Sequence, residues 1–436
     1  MNTTSSNRPA TARIAESIRH QSLPAAGLVI ARHGPLGEDV QALGPDGHGG
    51  TVRSDTRFLF GSFTKVLTAA MVCQLVDEGR LALDDDIAQH VPYPTLAGIT
   101  VRQLLCHSSG LPDMFEQGDD AHALISRLAS LERLAAPGEV FSYTNAGYVL
   151  LGRLIEELTG QGWDENLKSR LLEPLGIVST SSVADGRLAG GYVLDPGTGQ
   201  LVPGPLVPDL GSAMDAAGGR LHGRADDAAR LGRAIASGRI ARDIGRDVRL
   251  LSEDMVAQML SPQIAVPGLG VMARAWGLGW GLLRDGDPSE RVHGHFGNTS
   301  VLVAVQAHAD VSHAVLTNFA TGASLAQHLV RDLFDVPLPP GAEPAAGASP
   351  SFAGFAGRYG SGLFSVEIRL EAGHLSMTNP LSGGFVPLAH LAGSTFLFDT
   401  GAIVTDVTFL PATKAEPAAM HMALRLLPRM PESNRS

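Results

Sequence analysis

Ser62 and Lys65 stand three residues apart in the run Phe60-Gly61-Ser62-Phe63-Thr64-Lys65. A hydroxyl and an amine at that spacing share one helix face, where the amine can take the hydroxyl proton as the oxygen attacks a carbonyl. The chemistry such a pair serves is acyl transfer through a serine ester. The amine is unusual for this chain, because of 33 basic residues only Lys65, Lys168 and Lys414 are lysines. Arginine does not give up its proton, so a lysine kept here in an arginine-rich composition points to a base. The plain alternative is a solvated surface pair.

Two later stretches carry compatible chemistry. In Tyr143-Thr144-Asn145, a phenol beside such a serine can pass a proton to a leaving group, and a carboxamide can hold a substrate amide. Standing alone, the same stretch reads as a buried tyrosine and an asparagine helix cap. In Val292-His293-Gly294-His295-Phe296-Gly297-Asn298, the two histidines fall on one strand face. No further ligand of suitable spacing accompanies them, so neither a metal nor a cofactor is expected. The acidic run Asp84-Asp85-Asp86 reads as a cap or a solvated turn for the same reason.

The elements that must position these groups are legible in part. Val66, Leu67, Ala70, Met71 and Val76 recur at three- and four-residue spacings, predicting a helix stopped by Gly79 with Ser62 at its N-terminus. Free backbone N–H groups and the helix dipole there favour negative charge on the oxygen. Residues 10–21 read as a helix and 26–31 as a strand, with the turn-rich segment 44–50 as a hairpin feeding a strand toward Phe58 and Phe60. Short helices are expected at 101–107, 149–158 (ended by Gly160), 226–236 and 323–334, and strands at 276–281, 301–305 and 314–319. The glycine- and proline-rich stretch 186–223 reads as loops crossing a core. Residues 337–351 form a Pro/Gly/Ala-rich linker between a catalytic domain, 1–336, and short alternating segments over 352–436 that indicate a small antiparallel β domain.

Composition narrows the function. A chain of 436 residues with 44% hydrophobic and 18% charged residues has a large core, and a net charge of −11 argues against nucleic acid or an anionic membrane as partner. Cys73 and Cys106 lie in apolar surroundings and read as buried free thiols. The polar opening residues and the lack of a long apolar run lead to the expectation of a soluble, cytoplasmic protein.

Taken in order, Ser62-x-x-Lys65, Tyr143-x-Asn145 and His295-x-Gly297 resemble the motifs of the class C β-lactamase-like serine hydrolases, a family that includes penicillin-binding proteins, D-aminopeptidases, esterases and biosynthetic acyltransferases. The resemblance covers about residues 10–335, and the strings Leu104-Leu105-Cys106-His107-Ser108-Ser109-Gly110-Leu111 and Gly294-His295-Phe296-Gly297-Asn298-Thr299 share it. It implies an α/β (α+β) fold with a central antiparallel sheet flanked by helices, and a lipocalin-like C-terminal β domain. It implies further that Ser62 is acylated, that Lys65 and Tyr143 move protons, that Asn145 holds substrate, and that the N–H groups of Ser62 and Asn298 form an oxyanion hole beside the strand of His295 and Gly297. Where β-lactamases and cell-wall peptidases carry Lys-Thr-Gly or its like, this chain has His295-Phe296-Gly297, as the esterase and acyltransferase branches do. The expected activity is a transacylase moving an acyl group from an ester, thioester or amide to an amine in natural-product biosynthesis. The alternatives are a carboxylesterase or D-aminopeptidase and, from another class, a non-catalytic sensor of acylated ligands.

Overall fold

The computed structural model describes residues 26–114, 117–183, 188–195, 200–204, 210–240, 249–270, 272–297, 301–319, 352–361, 364–380, 382–400, 404–411 and 416–431. The expected helices at 10–21 and 323–334 and the linker at 337–351 lie outside them.

An eight-stranded sheet organises the larger unit. From one edge its strands are Gly37–Leu43, Leu28–Gly34, Val311–Thr317, Val301–Gln306, Val292–Gly297, Gly281–Arg284, Ala275–Trp276 and Ile264–Ala265. Each neighbouring pair runs antiparallel. The earliest strand pairs with the latest, Ala31 opposite Ala314, so both ends of this unit are tied into one sheet. The strands Val301–Gln306 and Val311–Thr317 are buried almost throughout, which is why they read as continuous apolar runs.

The helix Thr64–Asp77 buries residues 64–73 and 75, so it is enclosed on nearly every side and belongs to the core. It packs against Asn145–Thr159, which begins four residues before the expected start because the Thr144 side chain caps it by accepting from Gly147 N at 3.3 Å. Gly160, at φ 72°, closes that helix in the left-handed conformation. Asp86 caps the short turn Ile87–Gln89 by accepting from Ala88 N at 3.0 Å.

One expectation is extended and one corrected. The segment 44–50 reverses the chain, with Asp46 N donating to Gly50 O at 3.1 Å, Val52 N to Gly44 O at 2.9 Å and an antiparallel bridge between Pro45 and Thr51. An unexpected hairpin precedes it, where the strand Leu28–Gly34 turns through Gly37, at φ 95°, into Gly37–Leu43. Residues 276–281 are not one strand but the turn between Ala275–Trp276 and Gly281–Arg284. Gly279 in that turn, at φ 87°, sits where a Cβ would be 2.6 Å from Ala69 Cβ, so what packs closely here is the serine-bearing helix.

Beyond residue 352 the chain has its own core of Phe352, Phe355, Tyr359, Phe396, Phe398 and Phe409. A four-stranded and a five-stranded antiparallel sheet enclose it and meet where Met430 N donates to Arg358 O at 2.8 Å. The last hairpin, Ala419–Met422 with Arg425–Pro428, turns through Ala423 and Leu424 at φ 47° and 68°. Both residues occupy the left-handed region at a cost of about 1 kcal/mol each. The tip is held by the larger unit, since Tyr143 N donates to Leu424 O at 2.8 Å, Leu426 N donates to Ser142 Oγ at 3.2 Å, and Leu424 is buried in a cluster with Cys106, Phe141, Tyr143 and Trp276.

Candidate active site

Ser62 lies in the 3-10 turn Gly61–Phe63 that leads directly into the helix Thr64–Asp77. Lys65, one turn on, is fully buried and reaches back to Ser62 Oγ at 3.0 Å. Its Nζ also donates to Asn145 Oδ1 at 2.8 Å and to the carbonyl of Ala217 at 2.5 Å. Burial drives the Lys65 pKa well below the ordinary lysine value, with Asp113 acting against that shift and Arg425 adding to it. A neutral amine has two N–H donors and one lone pair. In that neutral form the two carbonyl oxygens accept both donors and leave the lone pair for the Ser62 hydroxyl, whereas the protonated amine donates to all three oxygens.

Each partner is placed for a visible reason. Thr68 Oγ1 donates to Ala216 O at 2.7 Å and accepts from Trp163 Nε1 at 3.1 Å, pinning the turn Ser212–Ala217 against the serine-bearing helix. The next residue, Gly218, has φ 106°, and a Cβ there would lie 2.1 Å from Gly61 O. Only glycine permits that approach, and the approach brings Ala217 O to Lys65. Asn145 is set by Asp113, whose Oδ1 accepts from Asn145 N at 2.5 Å and whose Oδ2 accepts from Asn145 Nδ2 at 3.0 Å.

The Tyr143 ring lies 5.0 Å from Lys65 Nζ and 5.2 Å from Arg425 Cζ. Burial raises its phenol above the ordinary value while the neighbouring Ser62 side chain pulls the other way. Among the described residues the buried Tyr143 hydroxyl closes no hydrogen bond of full geometry, so its contact with Ser62 is one of proximity. A phenol kept protonated in this way is not the resting base. His107 sits at φ 58° with its ring 4.2 Å from that of Tyr143, and its Nδ1 accepts from Thr144 N at 3.2 Å.

His295 closes the other side, with its ring 6.0 Å from Tyr143 and 5.4 Å from Trp276. Its Nδ1 donates to Phe296 O at 2.9 Å, which fixes the tautomer, and burial holds its pKa at about 3, so the ring is neutral. Gly297 passes where a Cβ would lie 2.5 Å from Phe60 O, so this strand runs against the residues leading to the serine. His293 is engaged elsewhere, through Nε2 to Leu260 O at 2.8 Å. Among the described residues no group of three His, Cys, Asp or Glu is arranged to hold a metal.

The fold therefore gathers Ser62, Lys65, Tyr143, Asn145, His295 and Gly297, while Asn298 lies outside the described residues. It adds groups that sequence reasoning missed. Asp113 lies two residues beyond the Ser108-Ser109-Gly110-Leu111 string, and that proximity was its only signal. Arg425 arrives from the C-terminal unit and had none.

The chain is similar to known proteins over most of its length. Residues 10–336 match the Beta-lactamase family. Penicillin-binding protein 4 of Amycolatopsis lactamdurans is 32% identical over 327 residues, covering 71% of this chain and 85% of that protein. The crystal structure of SurE superposes with a TM-score of 0.76 at 28% identity over 97% of this chain and 98% of that one, and SurE has also been solved with D-Leu. The octameric penicillin-binding protein homologue from Pyrococcus abyssi shares the fold, with a TM-score of 0.63 at 23% identity over 96% of this chain and 98% of that one. With a matched span of this length beside the antiparallel sheet and the Ser62–Lys65 pair, the chain belongs to the beta-lactamase family of serine hydrolases.

Proposed function

We propose that the chain is a serine acyltransferase that takes an acyl group from an ester, thioester or amide onto Ser62 and passes it to an amine. The observation that carries this reading is the buried Lys65 amine, which lies 3.0 Å from Ser62 Oγ while two carbonyl oxygens accept its N–H groups, so that loss of one proton turns its lone pair toward Ser62. Ser62 Oγ attacks the acyl carbonyl as its proton moves to Lys65 Nζ. Collapse of the tetrahedral adduct breaks the bond to the leaving group, which takes its proton through the Lys65 and Tyr143 pair. An incoming amine then attacks the Ser62 ester, gives its proton to the same pair, and Ser62 recovers its own proton as the amide departs.

Transfer is favoured over hydrolysis because the groups around Ser62 are buried and the C-terminal hairpin packs beside Tyr143, so water is restricted and a bound amine has a large effective concentration. The whole-chain likeness to SurE, solved with D-Leu, supports acyl groups built from amino acids, and natural-product assembly is a setting that uses such transfers. The test is to supply an aminoacyl ester with and without a panel of amines and measure the ratio of amide to acid. Amide should rise with amine concentration at the expense of acid. Acid dominating at every amine concentration would replace transfer with ester hydrolysis.

A further inference from the structure

Asp113 is 4% exposed and lies at the centre of a chain of contacts that links the two units of the protein. On one side its Oδ2 accepts from Arg425 Nε at 3.1 Å, and Arg425 Nη1 is steadied by donating to Ala423 O at 3.3 Å. On the other side both carboxylate oxygens accept from Asn145, one from its backbone N–H and one from its side-chain Nδ2. An ionised carboxylate only accepts, so it admits the Asn145 carboxamide in one orientation, Nδ2 inward to Asp113 and Oδ1 outward to Lys65.

That orientation decides the protonation geometry at the serine. With Oδ1 facing it, neutral Lys65 spends an N–H on Asn145 and another on Ala217 O. With the carboxamide reversed, Nδ2 would face Lys65 as a donor and compete with Ser62 for the lone pair. We propose that Asp113 is a positioning residue that fixes the Asn145 carboxamide so that the Lys65 lone pair is left for Ser62, and that Arg425, by anchoring Asp113, makes the C-terminal unit a working part of the catalytic site. This rests on the reading of Ser62 as nucleophile and Lys65 as base.

The same groups set the lysine's charge balance. Lys65 is faced by Asp113 from the loop after the helix Val101–Leu105, by Arg425 from the last hairpin, by the rings of Tyr143 and Tyr148 from the segment around Asn145, by His107, and by His295 from its strand. The two histidines are held neutral by burial, which leaves Asp113 and Arg425 as the fixed charges, the first raising and the second lowering the Lys65 pKa. A neutral base is lost as pH falls through its pKa, so the two charges move the acid limb of the acylation rate in opposite directions.

The test measures the burst of leaving group from an activated ester against pH for the full chain, for Asp113→Asn and for Arg425→Gln, with circular dichroism as the folding control. Asp113→Asn is expected to slow acylation by about 100-fold, a general-base loss, and to shift its acid limb to lower pH. Arg425→Gln is expected to shift the limb to higher pH. A defect that merely loosened the fold would lower amplitude without moving the limb in opposite senses. If Asp113→Asn does not fold, Arg425→Gln alone carries the test, and an unmoved limb in it overturns the proposal. Wild-type rates and an unmoved limb in folded Asp113→Asn overturn it also, while a normal burst in the unmodified chain leaves the serine reading standing. No burst from the unmodified chain overturns that reading and the proposal with it.

Discussion

Arg425, from the final strand of the C-terminal unit, pairs with Asp113 of the catalytic unit across 312 positions of sequence, Nε to Oδ2 at 3.1 Å. The carboxylate is buried and the guanidinium about a quarter exposed, with side-chain exposures of 3% and 23%. Truncating the arginine leaves a buried acceptor without its ionic partner, which costs on the order of 2 kcal/mol. Arg425→Ala should therefore lower the denaturant midpoint of the whole chain, and Arg425→Lys should recover part of the loss because charge returns without the planar fork. Equal midpoints for all three proteins would show that the pair contributes nothing.

Lys65 is expected to act as a base because burial holds its pKa well below the ordinary lysine value. Lys65→Arg should be nearly as damaging as Lys65→Ala, each by on the order of 10²–10⁴-fold in kcat, since a guanidinium stays protonated. The wild-type kcat/KM should fall as pH drops through the lowered Lys65 pKa. It should show no step near the imidazole reference of 6.5 from His295, which at about 3 is already neutral across that range. An active arginine variant would reduce Lys65 to a structural cation.

Much of this site was open to sequence reasoning because its groups repeat a local geometry. The Ser62–Lys65 spacing is one helical turn, and the apolar run after it recurs at the three- and four-residue spacings of a helix. The histidine strand is bounded by glycine where it passes Phe60. The hairpin at Gly37 was missed because the glycines at 44–50 gave a stronger turn signal, and the chain uses both reversals in succession. Asp113 and Arg425 were missed for a deeper reason. Their meaning lies in a contact between two units far apart in sequence, and neither charge differs, in sequence, from a solvated one.

Gly218 is the backbone feature most sensitive to a single methyl group. At φ 106°, with Gly61 O 2.1 Å from where a Cβ would sit, Gly218→Ala combines a disfavoured conformation with overpacking beside the serine turn. The expected loss is about 3 kcal/mol or more of stability. Because any relaxation must displace Ala217 O or Gly61, activity should fall further than thermal stability accounts for. Wild-type activity in a stably folded Gly218→Ala protein would show that the close approach is not needed.

The central claim is that Ser62 carries the acyl group, and intact-protein mass spectrometry after brief exposure to an activated acyl ester tests it most directly. The account predicts one added acyl mass on the wild-type chain, lost on addition of an amine as the corresponding amide appears, and no added mass on Ser62→Ala, whose circular dichroism and unfolding midpoint should match wild type. A persistent acyl adduct on Ser62→Ala would contradict it.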